Sequence, residues 1–311
     1  MNGILIIDKP PGITSHDVVK RVKRMLKVRK AGHTGTLDPL ATGVLPVCIN
    51  EATKIVQFLI NDDKEYEAEL RLGIETDTQD NSGRVIKESC QIPEDHNKII
   101  DTIMSFEGNI KQKPPVFSAL KHHGTPLYKL ARKGVCVDTE EREVQIFKIN
   151  ITRIDLPYIS FLVSCSKGTY IRTLCADIGK RLGCGAHLVR LKRIRSGSFD
   201  IKDSHSLDEI ETLAKNGTIK EKVVPLDKAL NNLPQIKISD DLAERVRHGK
   251  QIIVDDLRDI CLSHIKRGES LRITSSKNDL IAVGESLINS PLTEKEEGRK
   301  LICRLVRVFN T

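Results

Sequence analysis

From Lys64–Leu72 the chain reads KEYEAELRL, with Tyr66, Ala68 and Leu70 at alternate positions between charged residues. That two-residue period is the period of a strand, and it sets those three side chains on one side of a sheet. Residues 4–7 and 44–49 are apolar without a break over strand length, as strands buried on both faces are. Residues 144–151 and 159–165 read as further strands. A sheet therefore organises the larger part of the chain.

Helical signals lie between these strands. Thr14 or Ser15 caps a helix with Val18, Val19, Val22, Met25 and Leu26 on one face and lysines and arginines on the other. Residues 97–106 have amphipathic spacing, and Thr125 with Pro126 suits the cap and first position of a short helix. After Lys167-Gly168 comes a helix with Ile171, Leu174, Cys175, Ile178 and Leu182 on its buried stripe, so Tyr170 and Arg172 stand at its start. Residues 76–83 are a polar turn. A polar helical stretch over 206–230 ends in Asn231-Asn232-Leu233-Pro234, which reads as a domain boundary. Beyond it, short apolar runs at 252–254, 271–273, 280–283 and 301–309 suggest a small β-rich module.

At 311 residues and 39% hydrophobic content the chain can bury one large core and a small one. Its apolar runs are too short to cross a bilayer, and the N-terminus lacks a basic segment followed by an apolar signal core, so the expectation is a cytoplasmic protein with no membrane partner. The eight cysteines form no CxxC pair and none stands at metal-ligand spacing from a histidine, which points to reduced thiols and no metal.

The net charge is +8, and its distribution is more informative than its size. Residues 1–40 carry eight basic side chains against three acids, and residues 160–200 carry eight against two. Brought side by side they would form a cationic groove for phosphates; left apart they would be solvated helix faces.

Residues 32–43 read GHTGTLDPLATG, where small residues let a backbone approach a bulky ligand and Asp38 is the single carboxylate. No GK[ST] follows, so this is not a phosphate-cradling P-loop. Taken alone, Asp38 before Pro39 also suits a helix N-cap. Tyr66 on its strand suits a core position with a wet hydroxyl. His33 suits a loop hydrogen bond, Leu191 core packing, and Arg172 a surface ion pair worth about 0–1 kcal/mol.

The stretches GHTGTLDPLATGVLP, KEYEAELRLGIETDT, SALKHHGTPLYKLARKG and CSKGTYIRTLCADIGKRLGCGAH resemble the TruB family of tRNA pseudouridine synthases, from the DKPPG at residues 8–12 to about Phe199. The part beyond the boundary is similar to the PUA-type RNA-binding domain, although Asn278-Asp279 replaces an expected glycine. The resemblance implies an α+β fold: a pseudouridine synthase catalytic domain at 1–231 on a central, largely antiparallel mixed sheet, with a PUA-like β-barrel at 235–311. It implies isomerisation of a T-loop uridine of tRNA, position 55 in the usual tRNA numbering, by base flipping, glycosidic cleavage and reattachment through C5.

Under that resemblance Asp38, Tyr66 and Arg172 are the catalytic set. Asp38 acts as nucleophile or as base on the sugar, Arg172 pairs with it and lowers its pKa, and Tyr66 stacks on the base and helps to remove the C5 proton. Tyr170 and Leu191 line the uracil pocket, and His33 replaces the flipped base. Lys9, the basic helix over 18–30, residues 121–123 with Lys121 foremost, Lys129 and Arg132 would meet the RNA backbone. A redox-neutral isomerisation needs no cofactor, and the expected partner is the tRNA T stem-loop, bound by a monomer. Two other readings share these residues: an RNA-binding or tRNA-folding factor without chemistry, and a guide-RNA-dependent pseudouridine synthase. The absence of a lysine-rich tail and the loop over 102–134 disfavour the second.

Overall fold

A computed structural model of the chain describes residues 1–118, 120–122, 124–131, 133–135, 137–257, 265–289 and 298–309. The chain opens with β1 (Gly3–Lys9), α1 (Ser15–Met25), β2 (Ala31–His33) and β3 (Thr42–Ile49). Thr14, and not Ser15, caps α1, closing a capping box with Asp17, and Val18, Val19 and Val22 form its buried face. Next come α2 (Val56–Leu59), β4 (Lys64–Leu72), and a small hairpin of β5 (Ile74–Thr76) and β6 (Val85–Glu88). Then follow α3 (His96–Met104), β7 (Gly108–Gln112), a minimal ladder of β8 (Lys121–His122) and β9 (Thr125–Pro126), and α4 (Leu127–Ala131). Thr125 and Pro126 thus pair with Lys121 and His122 ahead of the helix, because Leu127 N–H reaches back to the Leu120 carbonyl at 2.7 Å.

The chain continues with β10 (Arg142–Asp155), β11 (Tyr158–Cys165), α5 (Ile171–Leu182), β12 (Ala186–Ser196) and β13 (Phe199–Asp200). The sheet has nine strands, in the order β1-β3-β12-β4-β11-β10-β7, with β2 on β3 and β13 on β12. Every pairing is antiparallel except β3 with β12, where Thr42 and Gly43 meet Lys192 and Arg193. Gly43 has φ +97°, and a Cβ there would lie 2.2 Å from the Arg193 carbonyl, so the two halves of the sheet meet only because residue 43 lacks a side chain. The large core lies between this sheet and α1, α3, α5 and α6 (Leu207–Lys215).

After α7 (Leu226–Ala229), β14 (Gln235–Lys237), β15 (Ser270–Thr274), β16 (Leu280–Ser286) and β17 (Cys303–Val308) form a second, four-stranded sheet, which shares its own core with α8 (Asp240–Arg247). The expected barrel does not close among the described residues: β14 and β17 are the two edges, and residues 253 and 301 add one isolated bridge. Asn278 takes φ +66°, the left-handed conformation that glycine adopts most easily and asparagine tolerates, so the missing glycine leaves the turn intact. Leu280, Val283 and Phe309 share a third buried cluster with Ile4, Ile6, Val44 and Cys48 of β1 and β3. Lys54 Nζ binds the Val308 carbonyl at 2.9 Å and lies 5.6 Å from the centre of the Phe309 ring.

Candidate active site

The loop between β2 and β3 carries Asp38. Its carbonyl accepts from Ala41 N–H at 3.1 Å, a turn with Pro39 at its second position, so Asp38 is a turn residue and not a helix cap. Four neighbours hold this loop by its backbone. Gly12 N–H donates to the Pro39 carbonyl at 2.8 Å. The Ser15 hydroxyl accepts from Leu37 N–H at 2.8 Å and donates to the Leu37 carbonyl at 3.0 Å. Lys9 Nζ donates to the Ala41, Pro10 and Pro39 carbonyls at 2.7, 2.9 and 3.3 Å. Arg193 binds the Val44 carbonyl at 2.7 Å through Nε and that of Gly35 at 3.2 Å through Nη2.

Lys9 was expected at the RNA backbone, and its burial overturns that: none of its surface is exposed, and its ammonium is an internal anchor of the loop. Burial pushes its pKa down to about 8, Asp38 opposing the fall and Arg193 adding to it. Lys9→Met is expected to lower kcat about 10–100-fold by loosening the loop. Leaving the carbonyls unpaired is expected to cost about 1–3 kcal/mol in a urea titration. A wild-type rate in this variant would mean that the loop holds without the ammonium.

Arg172, in the first turn of α5, brings Nε to 2.9 Å from Asp38 Oδ2 and 3.7 Å from Asp80 Oδ2. The Asp38 contact is a close ion pair and not a directed hydrogen bond, since Nε has no partner along its N–H. Nη1 and Nη2 donate to the Thr78 and Phe117 carbonyls at 2.8 and 2.9 Å. The side chain is 4% exposed, which excludes the surface ion pair. Asp80 was not singled out from the sequence; it is buried, and its Oδ1 accepts from Thr78 Oγ1, Ser82 N–H and Ser82 Oγ at 2.7, 3.0 and 2.5 Å. Its turn, TDTQDNSG, has no periodicity that marks one acid among its neighbours.

Asp38 keeps 34% of its side-chain surface at the cleft yet has protein on most sides. Desolvation raises its pKa above the usual aspartate value, Arg172 pulls it down less than that, and Asp80 pushes it up again. The expected lowering by Arg172 is present but outweighed, first by desolvation and then by the added charge of Asp80.

Asp38, Tyr66, Tyr170, Arg172 and Leu191 line one cavity of about 350 Å³, joined by Lys64 and Arg193. A larger cleft of about 780 Å³ follows the middle of β4, β11 and β12 and shares Leu191, but contains neither Asp38 nor Arg172. Tyr66 is 8% exposed; burial raises its pKa, and its hydroxyl lies against the Arg193 guanidinium, which acts the other way. Lys64 is drawn down to about 8, first by burial and then by Arg193. Its ammonium binds the Ile60 carbonyl at 2.9 Å and that of Asp62. The basic segments do meet, but Lys9, Arg172 and Arg193 are spent inside the protein; the lysines and arginines of α1, with Lys167 and Arg190, remain exposed.

His33, half-buried at the end of β2, accepts from Gly35 N–H at 3.3 Å through Nδ1, and burial lowers its pKa. Lys129 is exposed on α4. Arg132 and His123 lie outside the described residues, as does the side chain of Lys121. Among the described residues no three His, Cys, Asp or Glu side chains gather as metal ligands.

Two family profiles match the chain. Residues 23–171 match the N-terminal domain of TruB family pseudouridylate synthases, and residues 172–231 match the C-terminal domain of tRNA pseudouridylate synthase B. The tRNA pseudouridine synthase B of Syntrophus aciditrophicus (strain SB) is 46% identical over 311 residues, 100% of this chain and 99% of that protein. That of Geobacter sulfurreducens is 44% identical over 310 residues, 100% of each chain. Among solved structures, a chain of an H/ACA ribonucleoprotein bound to a substrate RNA containing 2'-deoxyuridine superposes with TM-score 0.77 at 30% identity. That match covers 99% of this chain and 85% of the other.

Proposed function

The chain belongs to the TruB family of pseudouridylate synthases, and we propose that it converts the uridine at position 55, in the T loop of tRNA, to pseudouridine. It is an isomerase of tRNA. The single observation that carries the site assignment is Asp38 beside Arg172, 2.9 Å apart, at a cavity that also holds Tyr66. The reaction breaks the bond from N1 to C1′ and makes one from C5 to C1′; C5 loses a proton and N1 gains one, so no oxidant or energy source enters. Asp38 acts at the sugar, as nucleophile on C1′ or as base on a sugar proton, and both routes need the ionised carboxylate.

Tyr66 stacks on the flipped uracil, with its hydroxyl near the C5 proton and the Arg193 charge beside it. Tyr170 and Leu191 bound the same pocket. His33, held neutral by burial, fills the gap in the T-loop stack. Lys121, Lys129 and Arg132 contact phosphates together with the exposed face of α1. Residues 1–231 are the catalytic domain and 235–311 an RNA-binding module of a monomeric, cytoplasmic protein. No helix among the described residues is long and apolar enough to cross a membrane.

The test is a chemical map of pseudouridine in an unmodified tRNA transcript after incubation with the protein alone. Product at the T-loop uridine supports the reading; product only after a second RNA is added would favour a guide-dependent synthase, and tight binding with no product a folding factor. Tyr66→Phe keeps a ring to stack, so tRNA affinity is expected to hold while kcat falls about 10²–10⁴-fold. An unchanged kcat would remove the hydroxyl from the proton transfer.

A further inference from the structure

Gln112 ends β7 and is 1% exposed. Its amide is spent entirely on one residue of another element: Oε1 accepts from Tyr170 N–H at 3.0 Å and Nε2 donates to the Tyr170 carbonyl at 3.3 Å. The pair reproduces the two bonds that a neighbouring strand would supply, but a side chain makes them. Tyr170 is the N-cap of α5 and has no side-chain cap of its own, so this clamp fixes the backbone two residues before Arg172. On the other side Thr173 Oγ1 donates to Gln79 Oε1 at 3.0 Å, and Thr78 supplies a carbonyl to Arg172. The first turn of α5 is gripped between two separate segments, and Gln112 is the grip on its main chain.

Packing alone does not call for an amide here. Among the described residues β7 is the edge of the sheet, paired only with β10, and its Gly108, Asn109 and Lys111 are exposed. A buried amide carries a desolvation cost that an apolar side chain of similar size would avoid. The segment that follows also reaches the site, since Phe117 offers its carbonyl to Arg172.

We infer that Gln112 is a positioning residue for the isomerisation, setting Tyr170 against the uracil pocket and Arg172 against Asp38. The inference rests on the reading of Asp38 and Arg172 as the catalytic pair. Single-turnover kinetics on tRNA across a pH series, with wild-type protein in parallel, tests both levels separately: an inactive wild type defeats the reading itself. Gln112→Leu loses both bonds, and kcat is expected to fall about 100-fold, by a factor that does not shrink as pH falls, with tRNA affinity within about twofold of wild type. Gln112→Glu keeps the acceptor but, as a carboxylate, has no proton for the Tyr170 carbonyl; protonated, it regains one. The ratio of its kcat to that of wild type should therefore rise as pH falls, a signature that loss of packing does not produce.

Wild-type kcat in the folded variants would overturn the inference. So would losses confined to tRNA affinity, or a pH-independent ratio for Gln112→Glu. Failure of both variants to fold, read by their urea transitions, would overturn it too, because Gln112 would then be a structural residue.

Discussion

Asp38→Asn is expected to leave no pseudouridine at the T-loop uridine, a loss of at least about 10²–10⁴ in kcat if the carboxylate is a base and more if it is the nucleophile. The substitution is nearly isosteric, and the loop is held by Lys9, Gly12, Ser15 and Arg193 through backbone atoms, so its shape should persist. Binding of tRNA should be unchanged or tighter, because one negative charge leaves a surface that approaches phosphates. Mapping the product and titrating the tRNA on the same preparation separates chemistry from binding. Residual wild-type activity in Asp38→Asn would end the assignment.

Arg172→Met should act on both rate and stability. Removing the cation leaves Asp38 and Asp80 without the charge they share, and the Thr78 and Phe117 carbonyls without a donor; breaking a buried pair in this way costs about 3–5 kcal/mol. A loss of about 10²–10³ in kcat is expected, comparable to removal of one preorganised donor. The sign of the pH effect follows from Asp38. With Asp38 as the proposed catalytic carboxylate, the ionised form is the active one, so kcat is expected to fall as pH drops through its raised pKa. Arg172 is the strongest influence holding that pKa down, so the variant's acid limb should move to higher pH. An acid limb that stays in place would mean that Arg172 does not tune Asp38.

The strand at Lys64–Leu72, the helix at Ile171–Leu182 and the core face of α1 were legible because their apolar positions keep an unbroken period. β12, the interior strand between β3 and β4, was not. It carries register shifts between Leu188 and Arg190 and between Arg193 and Arg195, which break the alternation, and one of its buried positions is the arginine at 193. β7 escaped for a different reason: four of its five residues are polar or glycine and only Gln112 is fully buried. The Asp38, Tyr66 and Arg172 set came from the resemblance, and the geometry brings all three to one cavity. Lys9, Arg193 and Gln112 have buried polar roles that depend on partners far away in sequence, as does the ion pair of Asp80 with Arg172, and no local pattern records these.

The cluster shared by Ile4, Ile6, Leu280, Val283 and Phe309 has a consequence for how the protein is made. Its members lie about 300 residues apart, so as the chain leaves the ribosome β1 can pair with β3 early, while that part of its surface waits for the second sheet. At about 5–20 residues per second the wait is on the order of 15–60 s. During it, the apolar side chains of β1 and β3 that will meet Leu280, Val283 and Phe309 lack those partners. Emergence of Leu280, Val283 and Phe309, and not completion of the large sheet, is therefore the moment at which this third cluster closes.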